Sequence, residues 1–183
     1  MGQNHPKLAP TQIEDLTKRT VFTREELKLL FEKFITDYPT GYMTKEQFTK
    51  VYRDYYKKGD CNTFSEHVFR VFDVNHDNRI DFREFICSLS LTTRGSIEEK
   101  LHWAFNMYDV NGDGRVSIAE VGNIVNSVQA LVNAKDKNLN SDKIEQIFHF
   151  YDNNQDGTLT VDEFIRGSKS NPMFMRLLTD YIQ

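Results

Sequence analysis

Three stretches of twelve residues place oxygen-bearing side chains at matching positions and align with one another without gaps. They begin at Asp73, Asp109 and Asp152 and have the sequences DVNHDNRIDFRE, DVNGDGRVSIAE and DNNQDGTLTVDE. In each stretch, positions 1, 3, 5 and 9 carry an oxygen side chain, position 8 is aliphatic and position 12 is glutamate. A hard divalent cation suits this pattern, because calcium takes about six to eight oxygen ligands that a short loop can supply. The sequence therefore predicts three calcium-binding loops.

Each predicted site draws on four side chains and one backbone carbonyl. Positions 1, 3 and 5 each offer a side-chain oxygen, position 12 offers both oxygens of a glutamate, and position 7 offers its carbonyl, so its side chain stays free. The candidate calcium ligands are Asp73, Asn75, Asp77, Arg79 and Glu84 in one loop, Asp109, Asn111, Asp113, Arg115 and Glu120 in the next, and Asp152, Asn154, Asp156, Thr158 and Glu163 in the last.

Position 6 of such a loop turns sharply, and glycine is usual there because it reaches positive φ without steric cost. Gly114 and Gly157 meet this requirement. Asn78 takes the position in the loop that begins at Asp73, and asparagine is the next most tolerant residue in the left-handed region. We expect Asn78 to lower the calcium affinity of its loop without abolishing binding.

Amphipathic helices are predicted on both sides of these loops. Apolar side chains recur at i, i+3, i+4 and i+7, which is one face of an α-helix, at Leu101, Ala104, Phe105 and Tyr108, and again at Ile144, Ile147, Phe148 and Tyr151. Capping patterns that start a helix follow inside the loops, at Asp81-x-x-Glu84, Ser117-x-x-Glu120 and Thr160-x-x-Glu163. A helix, a twelve-residue acidic loop and a second helix together form the EF-hand.

EF-hands pair, because one helix–loop–helix cannot bury its own apolar face, so three hands predict a fourth. The stretch that starts at Thr36 has the right frame, with Gly41 at position 6 and Met43 at position 8. Its ligand positions lack carboxylates, since Thr36, Tyr38 and Gln47 stand at positions 1, 3 and 12. We expect this first hand to fold without binding calcium and to serve as the structural partner of the second. The loops are numbered first to fourth accordingly.

The predicted fold class is all-α, with two pairs of EF-hands and a short two-strand ladder between the loops of each pair. Position-8 residues of paired loops are expected to lie opposite each other, Met43 with Ile80 and Val116 with Leu159. The expected divisions are an N-terminal arm with a short helix (1–23), the first pair (24–92), a linker that bends at its glycine (93–97), the second pair (98–168) and a C-terminal helix (169–183).

Composition excludes several other classes of protein. The 183 residues carry a formal net charge of −4, whereas a nucleic-acid partner would normally require a basic excess. No apolar run exceeds three residues, so we expect neither a transmembrane helix nor a signal-peptide core. Cys61 and Cys87 make no disulfide framework and are expected to be reduced thiols. We expect no enzyme activity of its own, because the chain has no HExxH pairing, catalytic-cysteine signature or phosphate-binding glycine loop.

Several segments together resemble one known family. They are Gly2 with Lys7, Leu8 and Pro10, then residues 38–41 (YPTG), 81–86 (DFREFI), 91–95 (LTTRG), 100–105 (KLHWAF) and 163–167 (EFIRG). Through these segments essentially the whole chain resembles the neuronal calcium sensors, the family of recoverin, neurocalcin, hippocalcin and visinin-like proteins. The resemblance is greatest to the branch whose fourth EF-hand is intact. One departure is Tyr38-Pro39, where the family usually has Cys-Pro.

The resemblance implies a cytoplasmic calcium sensor. Calcium would expose an apolar groove, expected in the N-terminal pair and lined by aromatic side chains, for a helix of a target protein. The family also implies N-myristoylation of Gly2, although Pro6 stands where the acceptor pattern has serine or threonine. An acylated Gly2 would allow calcium-dependent association with the inner membrane face. Magnesium could occupy some of the sites at rest.

Two alternative functions stay open. One is a calcium buffer, whose EF-hands bind calcium but barely open. The other is a dedicated regulatory subunit of an enzyme or channel, which would share the fold. In every case loading changes the charge: three calcium ions add six positive charges, so the formal net charge of −4 would become about +2. The loaded protein would then suit an anionic membrane or an acidic partner.

Overall fold

A computed structural model describes residues 7–57, 59–131 and 141–170. The described elements follow in the order α1 (Pro10–Arg19), α2 (Arg24–Asp37), β1 (Tyr42–Thr44), α3 (Lys45–Tyr55), α4 (Asn62–Phe72), β2 (Arg79–Asp81), α5 (Phe82–Arg94), α6 (Ile97–Tyr108), β3 (Val116–Ser117), α7 (Ile118–Leu131), α8 (Ser141–Tyr151), β4 (Thr158–Leu159) and α9 (Val161–Ser170). The predicted fold class is confirmed, because the elements from α2 to α9 form successive helix–loop–helix units with a short strand in each loop. Gly2 and the helix expected after Pro172 lie outside the described residues.

Two antiparallel ladders join the loops in pairs. β1 pairs with β2, where Met43 lies opposite Ile80, and β3 pairs with β4, where Val116 lies opposite Leu159. Both predicted registers are confirmed. All four side chains are buried, so the centre of each ladder anchors two loops to the core beneath them. We call the elements α2 to α5 the first lobe and the elements α6 to α9 the second lobe.

Reciprocal caps determine where the helices after the loops begin. In the second loop, the backbone N–H of Glu84 donates to Asp81 Oδ1 (2.8 Å) and the N–H of Asp81 donates to Glu84 Oε2 (3.0 Å). The same arrangement starts the helices that follow Thr23, Thr44, Ser96, Ser117 and Thr160. Each cap satisfies backbone donors that the first helical turn leaves unpaired. The predicted capping boxes are therefore confirmed.

Aromatic rings build much of the first-lobe core. Phe48 on α3 contacts Phe69 and Phe72 on α4, with ring centroids 5.7 and 5.3 Å apart. Phe34 on α2 contacts Phe82 on α5 at 5.6 Å. Edge-to-face and tilted ring pairs of this kind stabilise a core beyond the area that they bury. The rings thereby tie the helices of the first hand to those of the second.

The α4 helix connects the two lobes, because it packs against α3 and α5 in its own lobe and against α6 and α7 in the other. Between the lobes, α5 ends at Arg94 and α6 begins at Ile97. Gly95 lies between them with a φ of −65°, so the predicted bend does not use the left-handed conformation. Glycine is needed there for space, since a Cβ would overlap the carbonyl oxygen of Leu91.

The short helix α1 packs against α2 and α5, with Ile13 and Leu16 buried. The Asp15 carboxylate pairs with Arg19 (2.9 Å) and with Arg83 of α5 (2.6 Å). The hydrogen bond from Arg19 and the charges of both arginines hold the pKa of Asp15 below its usual value. Across the described ranges, every helix is too short or too polar to cross a bilayer.

Truncation at the ladder centre should destabilise the first lobe. Ile80 is fully buried opposite Met43, so Ile80→Ala leaves a cavity and should lower the free energy of unfolding by about 2–5 kcal/mol. Val74 in the same loop is 69% exposed, and Val74→Ala should change it by less than about 0.5 kcal/mol. Urea unfolding of the calcium-free protein measures both variants, and equal effects would contradict the anchoring role of Ile80.

Candidate metal centres

Carboxylates at the first and last ligand positions are buried in the second, third and fourth loops. In the second loop Asp73 is 4% exposed and Glu84 is 8% exposed. The aspartate directly follows the helix that enters the loop, whereas the glutamate belongs to the first turn of the helix that leaves it. Two carboxylates shielded from water in this way need hydrogen bonds or a cation to compensate them. The equivalent buried pairs are Asp109 with Glu120 and Asp152 with Glu163.

Backbone N–H groups surround the first three ligand positions. In the second loop the N–H groups of Asp77 and Asn78 donate to the two carboxylate oxygens of Asp73 (3.1 and 2.9 Å). The Asp77 N–H also reaches Asn75 Oδ1 (2.9 Å), and the Arg79 N–H donates to Asp77 Oδ1 (2.9 Å). The third and fourth loops repeat these contacts. The backbone of each loop is thereby folded around the candidate side-chain oxygens.

The glutamate at position 12 spans each loop. Glu84 Oε1 accepts hydrogen bonds from the N–H groups of Val74 (3.1 Å) and Asn75 (3.2 Å), and Glu120 and Glu163 make similar contacts. Among the described residues, no three Asp, Glu, His or Cys side chains converge on their own as a metal cluster. Each candidate shell takes three carboxylates together with an asparagine amide and a backbone carbonyl, and in this structure those carboxylates accept hydrogen bonds from backbone N–H groups.

Electrostatic repulsion favours a cation between positions 1 and 12. Burial raises the pKa of Glu84, hydrogen bonds from the Asp81 and Asn75 backbone act in the opposite direction, and the charges of Asp81 and Asp73 raise it further. A divalent cation between Glu84 and Asp73 would replace this repulsion by attraction. The donor set also fits calcium, since every candidate ligand atom is a hard oxygen.

Side chains at position 7 cross to the partner loop. Arg115 Nη1 of the third loop donates to Asp156 Oδ2 (2.7 Å) and Thr158 Oγ1 (2.9 Å) of the fourth. Hydrogen bonds from Thr158, with a smaller contribution from Arg115, lower the pKa of Asp156 to about 2. Arg79 of the second loop stacks over the ring of Tyr42, the position-7 residue of the first loop (4.3 Å). No contact is predicted from the sequence for the side chains at position 7, although the arginine at this position in two loops could have indicated a charged contact.

Backbone conformation separates the first loop from the others. Position 6 has a positive φ even without glycine, since Asn78 lies at 63°. Position 4 also has a positive φ in the second, third and fourth loops, where His76, Gly112 and Gln155 lie at 59°, 73° and 55°. Pro39 holds that position in the first loop, and its ring fixes φ near −65°. The first loop therefore cannot adopt the backbone of the other three, a restriction that the sequence reasoning missed.

The first hand keeps the EF-hand frame with other contacts. Gln47, at position 12, accepts from the Thr44 N–H (2.8 Å) and donates its own N–H to Thr44 Oγ1 (3.3 Å), so it caps α3. The ring of Tyr38, at position 3, contacts Phe34 with centroids 5.1 Å apart, and burial raises the Tyr38 pKa. These residues stabilise the hand without offering carboxylates. That the first loop binds no calcium stays a prediction.

Comparison with known proteins gives matches over nearly the whole chain. Residues 98–169 match the family model described as an EF-hand domain pair, and residues 66–86 match an EF-hand model. The chain is 36% identical to recoverin of Homo sapiens, over 91% of this chain and 86% of recoverin. It is 40% identical to neuronal calcium sensor 1 of Aplysia californica, over 98% and 96% of the two chains, and 35% identical to S-modulin of Aquarana catesbeiana, over 91% and 86%. These matches support calcium as the ion of the acidic loops.

A glycine at position 4 should relieve strain. Gln155 has a φ of 55°, a conformation that costs a side-chain-bearing residue about 1–2 kcal/mol. After the entropy that glycine loses on folding, Gln155→Gly should raise the free energy of unfolding by about 0.5–1 kcal/mol. Gln146 is exposed within α8, and Gln146→Gly should lower it by a similar amount. Thermal unfolding of the two variants should therefore show opposite signs, and two losses would refute the strain argument.

Proposed function

The chain belongs to the neuronal calcium sensor family, and we propose that it is a cytoplasmic calcium sensor that binds about three ions and then presents an apolar groove of the first lobe to a target helix. One observation carries the proposal. It is the repeated pair of buried carboxylates at positions 1 and 12, in which the two members of each pair come from the ends of different helices. The proposed ligands are the fifteen residues named for the second, third and fourth loops.

The helix α5 joins the second loop to the aromatic core of the first lobe. Bound calcium would supply two positive charges between the ends of this loop. Glu84 lies in the first turn of α5, so a calcium ion that draws this carboxylate towards Asp73 would pull on the start of that helix and shift it against α4. Phe82 and Phe85 on α5 contact Phe34 on α2, with ring centroids 5.6 and 5.4 Å apart. A shift of α5 would separate these rings and expose the aromatic surface that a groove requires.

Apolar side chains already exposed in the first lobe support the same location. Leu29 on α2 and Val51 and Tyr55 on α3 are at least half exposed, and Tyr55 reaches 77%. Single exposed apolar residues are ordinary, but Leu29 belongs to the helix that the proposed opening would part from α5, and Val51 and Tyr55 belong to α3, which packs against α4. They would form the rim of the groove, with the core rings as its floor.

Membrane association is the second part of the proposal, with Gly2 as the acylation site. A single myristoyl chain binds membranes only marginally, so basic residues must add attraction to anionic lipid. Two of the nearby basic residues are already paired, Lys18 with Glu14 (3.1 Å) and Arg19 with Asp15 (2.9 Å). The change in net charge towards positive on loading would act in the favourable direction. We therefore propose attachment to the inner membrane face that is weak at rest and strengthened by calcium.

Removing the position-12 carboxylates should remove sites one at a time. Calcium titration by calorimetry should give about three ions for the wild type and about two for each of Glu84→Gln, Glu120→Gln and Glu163→Gln, because each variant replaces a negatively charged bidentate carboxylate by a neutral amide that keeps one oxygen. Glu46→Gln is the matched control, since this exposed glutamate lies at position 11 of the first loop. It should leave the number of ions unchanged. A wild type that binds none, or variants that all keep three, would refute the site assignment.

An apolar fluorescent dye should separate a sensor from a buffer. Saturating calcium should increase dye binding several-fold, because the aromatic core opens, whereas a buffer would bind the ions without new exposed surface. Magnesium is the proposed resting occupant of some sites, and it should leave dye binding nearly unchanged. Equal dye binding in calcium and magnesium would favour the buffer. Copurification of the chain in fixed ratio with one enzyme or channel, with or without calcium, would favour a dedicated regulatory subunit.

A further inference from the structure

Arg70, on α4 of the first lobe, donates hydrogen bonds to the end of α6 in the second lobe. Its Nη1 reaches the carbonyl oxygen of Asp109 (2.9 Å), and its Nη2 reaches those of Asn106 (3.1 Å) and Met107 (2.9 Å). The Nε is buried and has no hydrogen-bond partner in the described part of the chain. The guanidinium is therefore fixed at a helix C-terminus, where unpaired carbonyl groups and the helix dipole favour a cation.

Both ends of this contact border a calcium loop. Arg70 lies three residues before Asp73, which opens the second loop, and one of its acceptors is Asp109, which opens the third. A cleft of about 340 Å³ separates the two loops, and it is lined by Arg70 together with Asn78 of the second loop and Val110 of the third. The two loops thus face each other across the boundary between the lobes, with Arg70 bridging them.

Other contacts hold α4 to the second lobe at both of its ends. Just before the helix, the N–H of Asp60 donates to the carbonyl oxygen of Ala130 at the end of α7 (2.9 Å). At its last residue, Phe72 contacts the buried ring of Trp103 on α6, with centroids 6.2 Å apart. With Arg70 between them, these contacts oppose any movement of α4 relative to α6 and α7.

We propose that Arg70 is a positioning residue that couples the second and third loops, by holding α4 against the empty third loop and releasing it when that loop is loaded. The inference rests on the proposed function, because it requires calcium in both loops. The Arg70 guanidinium lies within hydrogen-bond distance of the backbone of Asp109, the first residue of the third loop, so two positive charges added to that loop would repel it. Release of α4, which leads directly into the second loop, would then help the second loop to bind. Linkage requires the reverse effect to be equal.

The test measures the calcium affinity of the third loop by calorimetry, with the second loop either intact or disabled by Glu84→Gln. All proteins are full length and carry Glu163→Gln, so that the fourth loop is silent. The comparison is made with Arg70 present, with Arg70→Met and with Arg53→Met. Methionine retains an apolar stem and removes the guanidinium. Arg53 is an exposed arginine whose guanidinium contacts Asn62 in its own lobe at 3.5 Å, so its variant controls for the loss of one charge.

With Arg70 present, Glu84→Gln should lower the calcium affinity of the third loop about fivefold, which is at the lower end of the usual coupling between sites. In Arg70→Met, Glu84→Gln should lower the calcium affinity of the third loop by less than about twofold. With Glu84 intact, both loops of Arg70→Met should bind calcium more tightly than those of the parent. Arg53→Met should keep the fivefold effect. Arg70→Lys should keep only part of it, because a single ammonium cannot serve three carbonyl groups as a planar fork does. Trp103 emission without calcium should shift in Arg70→Met and not in Arg53→Met.

Equal effects of Glu84→Gln with Arg70 and with Arg70→Met would overturn the proposal, and so would the absence of any effect in the parent. Either outcome leaves calcium sensing intact. Flat calorimetry in the wild type would instead remove the proposed function, and the coupling with it. If Arg70→Met does not fold, as judged by circular dichroism, the comparison is made with Arg70→Lys, for which full coupling counts against the proposal and reduced coupling supports it.

Discussion

A carboxylate taken out of water must find a cation or hydrogen-bond donors, and this requirement organises the whole molecule. Each acidic loop brings two buried carboxylates together from the ends of two helices. Without a cation, backbone N–H groups compensate them, as the contacts of Asp73 and Glu84 illustrate. Because Glu84 also caps α5 through Asp81, the same side chain belongs to the loop and to the helix that leaves it. A change of partner for the carboxylate therefore acts directly on the first turn of a helix.

The first hand shows what remains when this requirement is lifted. It has no carboxylates at the first and last positions, yet it keeps the ladder register through Met43 and the helix cap through Gln47. Its Pro39 excludes the left-handed backbone that position 4 adopts in the other loops. Pairing and the candidate ligand positions thus involve different residues of a twelve-residue loop. A hand can lack the carboxylates and keep its pairing, which is why this hand still covers the apolar face of its partner.

Much of this arrangement could be predicted from spacing alone, and the remainder depends on contacts between distant segments. The capping boxes follow from residues three positions apart, whose geometry is set locally. The ladder registers join distant residues, Met43 with Ile80 and Val116 with Leu159, but they follow from the repeat, because each loop has an apolar residue at position 8. The packing of α4 against α6 and α7, the bonds of Arg70 and the crossing of Arg115 to Asp156 join residues about 30 to 70 positions apart. Single-sequence periodicity carries no information on such contacts. The left-handed backbone at position 4 was only partly predictable from the sequence, because just one of the three residues with this conformation, Gly112, is a glycine.

Arginines placed between neighbouring loops give the third loop a central position. Arg115 reaches from this loop to a candidate ligand of the fourth, Asp156, and Arg70 reaches to its first residue, Asp109, from the helix that enters the second. In each case a fixed positive charge lies beside carboxylates that a cation would otherwise neutralise. Such a charge would stabilise the loop without an ion and oppose ion binding. Displacement of the arginine by an ion would therefore also change the contacts of the neighbouring loop or helix. If Arg70 acts as proposed, a structure built from separate loops responds as a connected set, and the connection passes through the third.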